Sequence, residues 1–453
     1  MTVNLLNLRR YVVTAIHEND HDYHIRAEVK DLPSSCPHCR SEAIVGFGRR
    51  EQLVKDLPMH GKRVGIYVNT RRLRCQACGK TFSETLPDVD EKRAMTARLA
   101  KWIGEQAIRR TFASIAEEVG ITEFTVRSVF RDYVNNLESQ VRFETPQWMG
   151  IDEIHLIKPR CVISNIQERT LVEILHNRNK DTVVKYLSTL KGRESVHYVT
   201  MDMWNPYKDA VETVMPQARI IIDKFHVVRM ANDAMEKARK GLREQLTLKQ
   251  KRGLMHDRFV LLKRERDLSD KERLMVSGWT LNYPLLGEVY RLKEGFYGIF
   301  DAESIIEAQA RYAAWYRSLT PETHAVFSDL IRAWENWQPY ILGYFDHPIT
   351  NAYTESLNNL IRVMNRLGRG YSFEALRAKL LFAEGAFKRA IEKPKFERKD
   401  WMEDFDRMPA DAVGYACMSR MFSARPSTQP AAKERNYGPD ISTLARMIEV
   451  GQV

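Results

Sequence analysis

Between residues 146 and 228 the sequence alternates strand-like and helix-like runs, and this alternation is the strongest constraint on the fold. Trp148-Met149-Gly150-Ile151-Asp152-Glu153-Ile154 reads as a strand ending in an acid. CVISNIQ and TLVEILHNR have strand composition with turn signals between them. KDTVVKYLSTLKG follows as an amphipathic helix, and VHYVTMD as a buried strand closing at Asp202. NPYKDAVETVMPQ is a second helix, and ARIIIDKFHV is a strand running through Asp223 to His226. The predicted order is strand, strand, strand, helix, strand, helix, strand.

That order is the one of a ribonuclease-H-like fold, in which the first and fourth strands are neighbours and bring their acids together. Breaking and joining phosphodiesters benefits from two metal ions about 3.5–4 Å apart, one at the attacking oxygen and one at the leaving oxygen. Mg²⁺ is a hard ion that prefers oxygen ligands. Two sheet acids rarely suffice, so a third is expected from a helix. Glu355 supplies it, in ITNAYTESLNN, where Thr350 or Asn351 can cap the helix. Arg362, Asn365, Arg366 and Arg369 extend the same polar face and suit a phosphate track. A single strand-terminal Asp is ordinarily a turn or cap residue; the joint fit to one strand order is what singles these out. The middle acid has two candidates. Strand counting puts Asp202 on the fourth strand, while Asp223 ends the next one.

Residues 229–345 exceed what such a fold needs and read as a helical insertion. Arg229 to Arg266 holds twelve Lys/Arg and five Asp/Glu, a charge that can track DNA phosphates or form a solvated face. Trp315, Trp334 and Trp337 recur at helical spacing, more as core than as base-stacking platforms. The whole chain carries a net charge of +11, which favours a polyanionic partner, nucleic acid being the commonest. No run approaches the ~18 apolar residues of a membrane span. MTVNLLNLRRYVV lacks the features of a secretory signal. No membrane association is expected, and the chain should work in the cytoplasm, close to the nucleoid.

Four of the six cysteines form two C-x-x-C pairs, Cys36/Cys39 and Cys75/Cys78. In a reducing compartment this indicates metal rather than disulfides. Four thiolates complete a closed tetrahedral Zn²⁺ site, here anchoring the basic run Arg71-Arg72-Leu73-Arg74 on a small sheet. Cys161 and Cys417 read as ordinary buried thiols. Downstream, TFASIAEEVGITEFTVRSVFRDYV has a helix-turn-helix pattern. Ala116 and Val119 face inward on one helix, Gly120 makes the turn, and Thr122 caps the next helix. Val126, Val129 and Phe130 form its inner face. Thr125, Arg127, Ser128 and Arg131 are left for the major groove.

WMGIDEIHL, VTMDMWNPYKDAVETVMPQARIIIDKFHVVRMANDAM and TNAYTESLNNLIRVMNRLGRGYSFEALRAKLL resemble the ISL3 family of bacterial insertion-sequence transposases. The cysteine pairs and the helix-turn-helix resemble the N-terminal DNA-binding segments of that family. The resemblance spans roughly residues 30–385. It implies a DDE transposase that binds the terminal inverted repeats of its own element, cleaves there, and transfers the strand to target DNA. Asp152, Asp202 and Glu355 would hold two Mg²⁺ or Mn²⁺ ions. Asp223 and His226, in Asp223-Lys224-Phe225-His226, resemble a C/D-x-x-H motif of related transposase families and would be accessory. Synapsis of two ends implies a homodimer or higher assembly. The expected fold class is multidomain α+β. It comprises a zinc-binding module (1–90), a helix-turn-helix domain (91–145), a split catalytic domain (146–228 and 346–391) around the helical insertion (229–345), and a tail (392–453). A non-catalytic DNA-binding regulator and a nuclease that cuts without joining are the competing functions.

Overall fold

The computed structural model describes residues 6–140 and 145–385. The expected tail at 392–453, with Cys417, and the last residues of the 346–391 segment lie outside the described residues.

The N-terminal sheet contains β1 (Tyr11–Glu18), β2 (Asp22–Val29), β3 (Ile44–Met59), β4 (Lys62–Cys75) and β5 (Thr81–Ser83). Its order is β1-β2-β4-β3, with β5 on β4; only β2 and β4 run parallel. Alternate residues Val64, Ile66 and Val68 point inward against Ile25 and Ala27, the period-two pattern of a sheet with one buried face. His60 and Gly61, at φ 52° and 77°, form the two-residue turn between β3 and β4. Positive φ at both positions matches the twist of the flanking strands.

Three helices follow: α1 (Ala97–Arg109), α2 (Phe112–Val119) and α3 (Glu123–Gln140). Thr96 and Thr111 cap the first two, accepting from Leu99 N and Ser114 N. Gly120 ends α2 at φ 72°, ψ 44°, a left-handed conformation that glycine adopts without strain. Thr122 Oγ1 accepts from Thr125 N at 3.2 Å, capping α3 as expected. Ala116, Val119, Val126, Val129 and Phe130 are all buried between the helices.

The second sheet is built from β6 (Trp148–His155), β7 (Pro159–Asn165), β8 (Thr170–Leu175), β9 (Tyr198–Met201) and β10 (Arg219–Ile222). Helices α4 (Lys180–Thr189) and α5 (Asn205–Val214) lie between β8 and β9 and between β9 and β10. The spatial order is β10-β9-β6-β7-β8. β6, β7 and β8 are antiparallel neighbours; β9 runs parallel to both β6 and β10. Two helix crossovers account for the parallel half.

From β10 the chain enters α6 (Lys224–Gly241), which continues unbroken across residue 229. Then come α7 (Leu248–His256), α8 (Arg258–Leu262), α9 (Asp270–Asn282), α10 (Pro284–Ile299), α11 (Ile305–Arg317), α12 (Pro321–Val326) and α13 (Ser328–Asp346). These helices share one continuous core with the sheet face bearing Met149, Ile151, Val199 and Met201. Trp315, Trp334 and Trp337 are buried in that core, as expected, with Trp334 stacked on Tyr312 at 4.2 Å. The other sheet face, bearing Ile154, Val162 and Ile174, is covered by α14 (Ala352–Leu367) and α15 (Phe373–Glu384). Cys161 is a buried thiol in the first of these cores.

Candidate active site

Parallel register sets three acids side by side. Ile151 pairs with Met201, and Met201 pairs with Ile222. The next residues on the three strands are Asp152, Asp202 and Asp223. Strands pair at about 4.8 Å, so these carboxylates start one strand spacing apart. Asp152 does not end its own strand, because β6 continues to His155 against β7. It is where the pairing with β9 stops.

Glu355 arrives on α14, and Gly150 lets that helix come close. A Cβ at position 150 would stand 2.5 Å from Ser164 Oγ and 2.6 Å from both Asn351 Oδ1 and Thr354 Oγ1. The Ser164 and Thr354 hydroxyls share a buried 2.6 Å hydrogen bond. Asn351, at the helix start, makes no side-chain cap; its Nδ2 donates to Ile151 O at 3.4 Å. Asn351, Thr354 and Asn358 recur at helical spacing on the face turned to the sheet. Asn358 Nδ2 donates to Asp152 Oδ2 at 2.8 Å, and Glu153 N to Asp152 Oδ1 at 2.7 Å.

His226 lies in the first turn of α6, whose N-cap is Asp223; Asp223 Oδ1 accepts from Phe225 N at 3.2 Å. His226 Nε2 is 2.9 Å from Asp202 Oδ1 and 3.5 Å from Glu355 Oε1. These approaches are close but off the hydrogen-bond line, and Nε2 and Oδ1 remain buried without a bonded partner. Asp223 Oδ2 and Asn358 Oδ1 are in the same condition. Ligand atoms of Asp152, Asp202 and His226 lie within 4.8 Å of one another, and so do those of Asp223, His226 and Glu355. His226, expected to be accessory, belongs to both groups.

The electrostatics are those of acids crowded away from water. Burial, then the nearby Asp202 charge, pushes the Asp152 carboxyl up to about 7. Burial also raises Asp223 to about 6. For His226, burial opposes the charged ring, but the Asp202 and Glu355 carboxylates outweigh it and raise the imidazole to about 10. The approach of His226 in turn lowers Glu355. The buried oxygens without partners, on Asp202, Asp223 and Asn358, fit a hard divalent cation, whose charge would replace that of the imidazolium.

At the other end of the chain the four cysteines meet. Sγ of Cys36 is 3.8 Å from Cys78, that of Cys39 is 3.5 Å from Cys75, and all four lie within 4.8 Å. A tetrahedron with Zn–S near 2.3 Å has edges of about 3.8 Å, so the cluster fits a structural Zn²⁺. The two knuckles match. Arg40 N donates to Cys36 O and Gly79 N to Cys75 O, both at 2.9 Å, with Arg40 and Gly79 at φ 60° and 72°.

The candidate DNA-reading residues are less uniform. Arg127 and Arg131 are exposed on α3. Ser128 is half-buried and accepts from Arg93, which also pairs with Asp132 at 2.6 Å. The Thr125 hydroxyl lies 3.0 Å from that of Thr122. On α14, Arg362 donates to Asn359 Oδ1 at 2.8 Å, and Arg366 is exposed. Seven and eleven residues past Glu355, both fall on its helical stripe.

Three residues of this site, Gly150, Thr354 and Asn358, are not singled out by sequence, and a fourth, Asn351, reads only as a helix cap. Gly150 interrupts a strand, a signal of close backbone approach. Asn351 and Thr354 look like ordinary N-terminal residues of a helix, and Asn358 like part of a polar face.

A zinc knuckle pair, a helix-turn-helix and a carboxylate-lined mixed sheet are together the parts of a DNA transposase. Comparison with known proteins gives the same class. The transposase domain profile of the ISL3 DDE type matches residues 149–380. The zinc-finger of transposase IS204/IS1001/IS1096/IS1165 matches residues 32–78, and the helix-turn-helix domain of transposase family ISL3 matches 84–134. The transposase for insertion sequence element IS1001 of Bordetella parapertussis is 24% identical over 346 residues, covering 74% of this chain and 85% of that relative. The transposase for IS1557 of Mycobacterium tuberculosis is 23% identical over 297 residues, covering 58% of this chain and 66% of the relative. The chain belongs to the ISL3 family of transposases.

Proposed function

We propose that the chain binds the terminal inverted repeats of its insertion sequence, cuts there, and joins the freed end to target DNA. The carrying observation is that Asp152 and Asp202 meet at His226, and that Glu355, on a helix docked at Gly150, meets the same histidine together with Asp223. Asp152, Asp202 and Glu355 would hold Mg²⁺ or Mn²⁺, with Asp223 and His226 accessory. Bound there, the ions would supply charge neutralisation at the attacking and leaving oxygens. Asn358 and the Glu153 amide hold Asp152 in one orientation. Water attacks the phosphodiester at the element end and releases a 3′-hydroxyl, which then attacks target DNA. The strand order β10-β9-β6-β7-β8 supports a ribonuclease-H-like catalytic domain, made of 146–228 and 346–391 around the insertion at 229–345. The segments 1–90 and 91–145 are the zinc-binding and helix-turn-helix domains of this reading. Thr125, Arg127, Ser128 and Arg131 would contact the repeat, Arg362 and Arg366 its backbone, and two ends would be held by a homodimer or larger assembly.

Cleavage of labelled terminal-repeat DNA tests this. Asp152→Ala, Asp202→Ala and Glu355→Ala should each lose cleavage by at least about a hundredfold while still binding DNA. Near-normal cleavage by Asp202→Ala, with loss in Asp223→Ala, would transfer the second position to Asp223. Cutting without joining would make the protein a nuclease instead.

A further inference from the structure

Trp204 stands two residues beyond Asp202, at the start of α5, and 38% of its surface is exposed. It takes no part in the core that buries Trp315, Trp334 and Trp337. The indole is nevertheless held. The Arg178 guanidinium lies 4.5 Å from its ring centroid, and Arg178 is ion-paired to Glu153, the neighbour of Asp152. Trp204 also borders an open cavity of about 320 Å³ whose wall includes Asp202, His226, Arg229 and Asp233. A rigid aromatic surface thus shares a cavity with a carboxylate of the candidate cleavage site.

We propose that this cavity is a nucleobase site, in which Trp204 stacks a base unpaired beside the phosphodiester being cut. The proposal rests on the transposase reading of the acids. A phosphate at Asp202 would put the base of an adjoining nucleotide one sugar away, within reach of the cavity that Asp202 and Trp204 both line. Within a duplex both faces of a base are covered, so the base must leave the stack to meet the indole. Every base has a π face, so the site would tolerate base identity while demanding an unstacked conformation. Arg178 supports the ring from behind, and Arg229 provides charge for the backbone of the displaced nucleotide. Trp204 is in these terms a positioning residue: it orients the scissile strand and does not touch the reacting atoms.

A cycle between protein and DNA tests the contact. The full chain is used as wild type, Trp204→Ala and Trp204→Phe, with DNA binding measured alongside cleavage. The substrates are duplexes of the element's own ends, intact or with one abasic site at each of the nucleotides flanking the cut. At one position, the abasic site should cost the wild type about 5- to 100-fold in cleavage efficiency, the scale of one base–aromatic stack. Trp204→Ala should lose a similar factor on intact DNA and be indifferent to that abasic site, and Trp204→Phe should recover most of the loss. If the two losses multiply at every position, or Trp204→Ala cuts like wild type, the base site is refuted while the transposase reading stands. If the wild type cuts no end duplex, the reading beneath the proposal falls as well.

Discussion

Asp152 shows at the scale of one residue what the site costs the fold. It is 4% exposed and its carboxyl titrates near 7, against an ordinary value near 3.9. The folded state therefore holds this proton more tightly than the unfolded chain. Its contribution to metal-free stability is full below about pH 4 and is lost as pH rises towards 7. Asp152→Asn removes the charge at almost constant shape. The new amide can be accommodated because Asn358 Oδ1 has no partner: a flip of the Asn358 amide offers an acceptor to the new NH₂. Asp152→Asn should abolish cleavage and yet raise the melting temperature of the protein without Mg²⁺ or Mn²⁺ at pH 8. The gain should shrink towards zero near pH 4. Each unit of the shift corresponds to about 1.4 kcal/mol, so a rise of several degrees is expected. Calorimetry across that range without added Mg²⁺ or Mn²⁺, the cysteine site kept loaded with Zn²⁺, is the measurement, and an unchanged or lower melting point at pH 8 would contradict it.

At the scale of elements, Gly150 links a strand to the helix that carries Glu355. A methyl group there meets three oxygens at 2.5–2.6 Å, all of them buried on α14 or β7. All three are side-chain ends, but the Ser164–Thr354 hydrogen bond and the Asn351 bond to Ile151 O hold them in place, so making room breaks these contacts and loosens α14 from β6. Overpacking of this kind costs about 1–3 kcal/mol, and a 1 Å shift of a reacting group about a hundredfold in rate. Gly150→Ala should therefore cut end cleavage by at least about a hundredfold and leave terminal-repeat binding within about twofold; full activity would mean that α14 is not held through this contact. The same pair of elements marks what the sequence makes legible. Strand order and strand-end acids can be read because short continuous apolar runs, the mark of strands buried on both faces, stop at Asp202 and Asp223. The docking of α14 joins residues 200 apart in the chain, as in Asn351 to Ile151, and no local pattern encodes that pairing. The same limit hides Asn358 behind Glu355, and the position of His226 between two groups of acids.

At the scale of the whole molecule, α15 shows that the helix-turn-helix and the second sheet are not independent. Leu376, Leu380 and Leu381 pack on the sheet with Ile154 and Leu171, whereas Ala378, Phe382 and Ala383 lie in the core of α1, α2 and α3. Lys379, fully buried between them, donates to Ala107 O and, at 2.8 Å, to Arg110 O, and covers the rings of Phe112 and Tyr371. These two carbonyls close the C-terminal end of α1, where a cation is favourable; burial nonetheless pushes the amine down to about 7. A helix buried on both sides makes its two partners share one fate. Phe382→Ala should cost about 3–5 kcal/mol, although Phe382 lies on α15, outside both α3 and the strands that carry the acids. The loss should appear as one lowered transition in which DNA binding and the sheet core melt together. Hydrogen exchange followed by mass spectrometry, read separately over residues 97–140 and 148–222, measures this. Selective loss of protection in 97–140, with 148–222 unchanged, would show that α15 does not couple them. Coupling of this strength would mean that the orientation of α3 relative to the carboxylates is set by packing within one chain, before any DNA is bound.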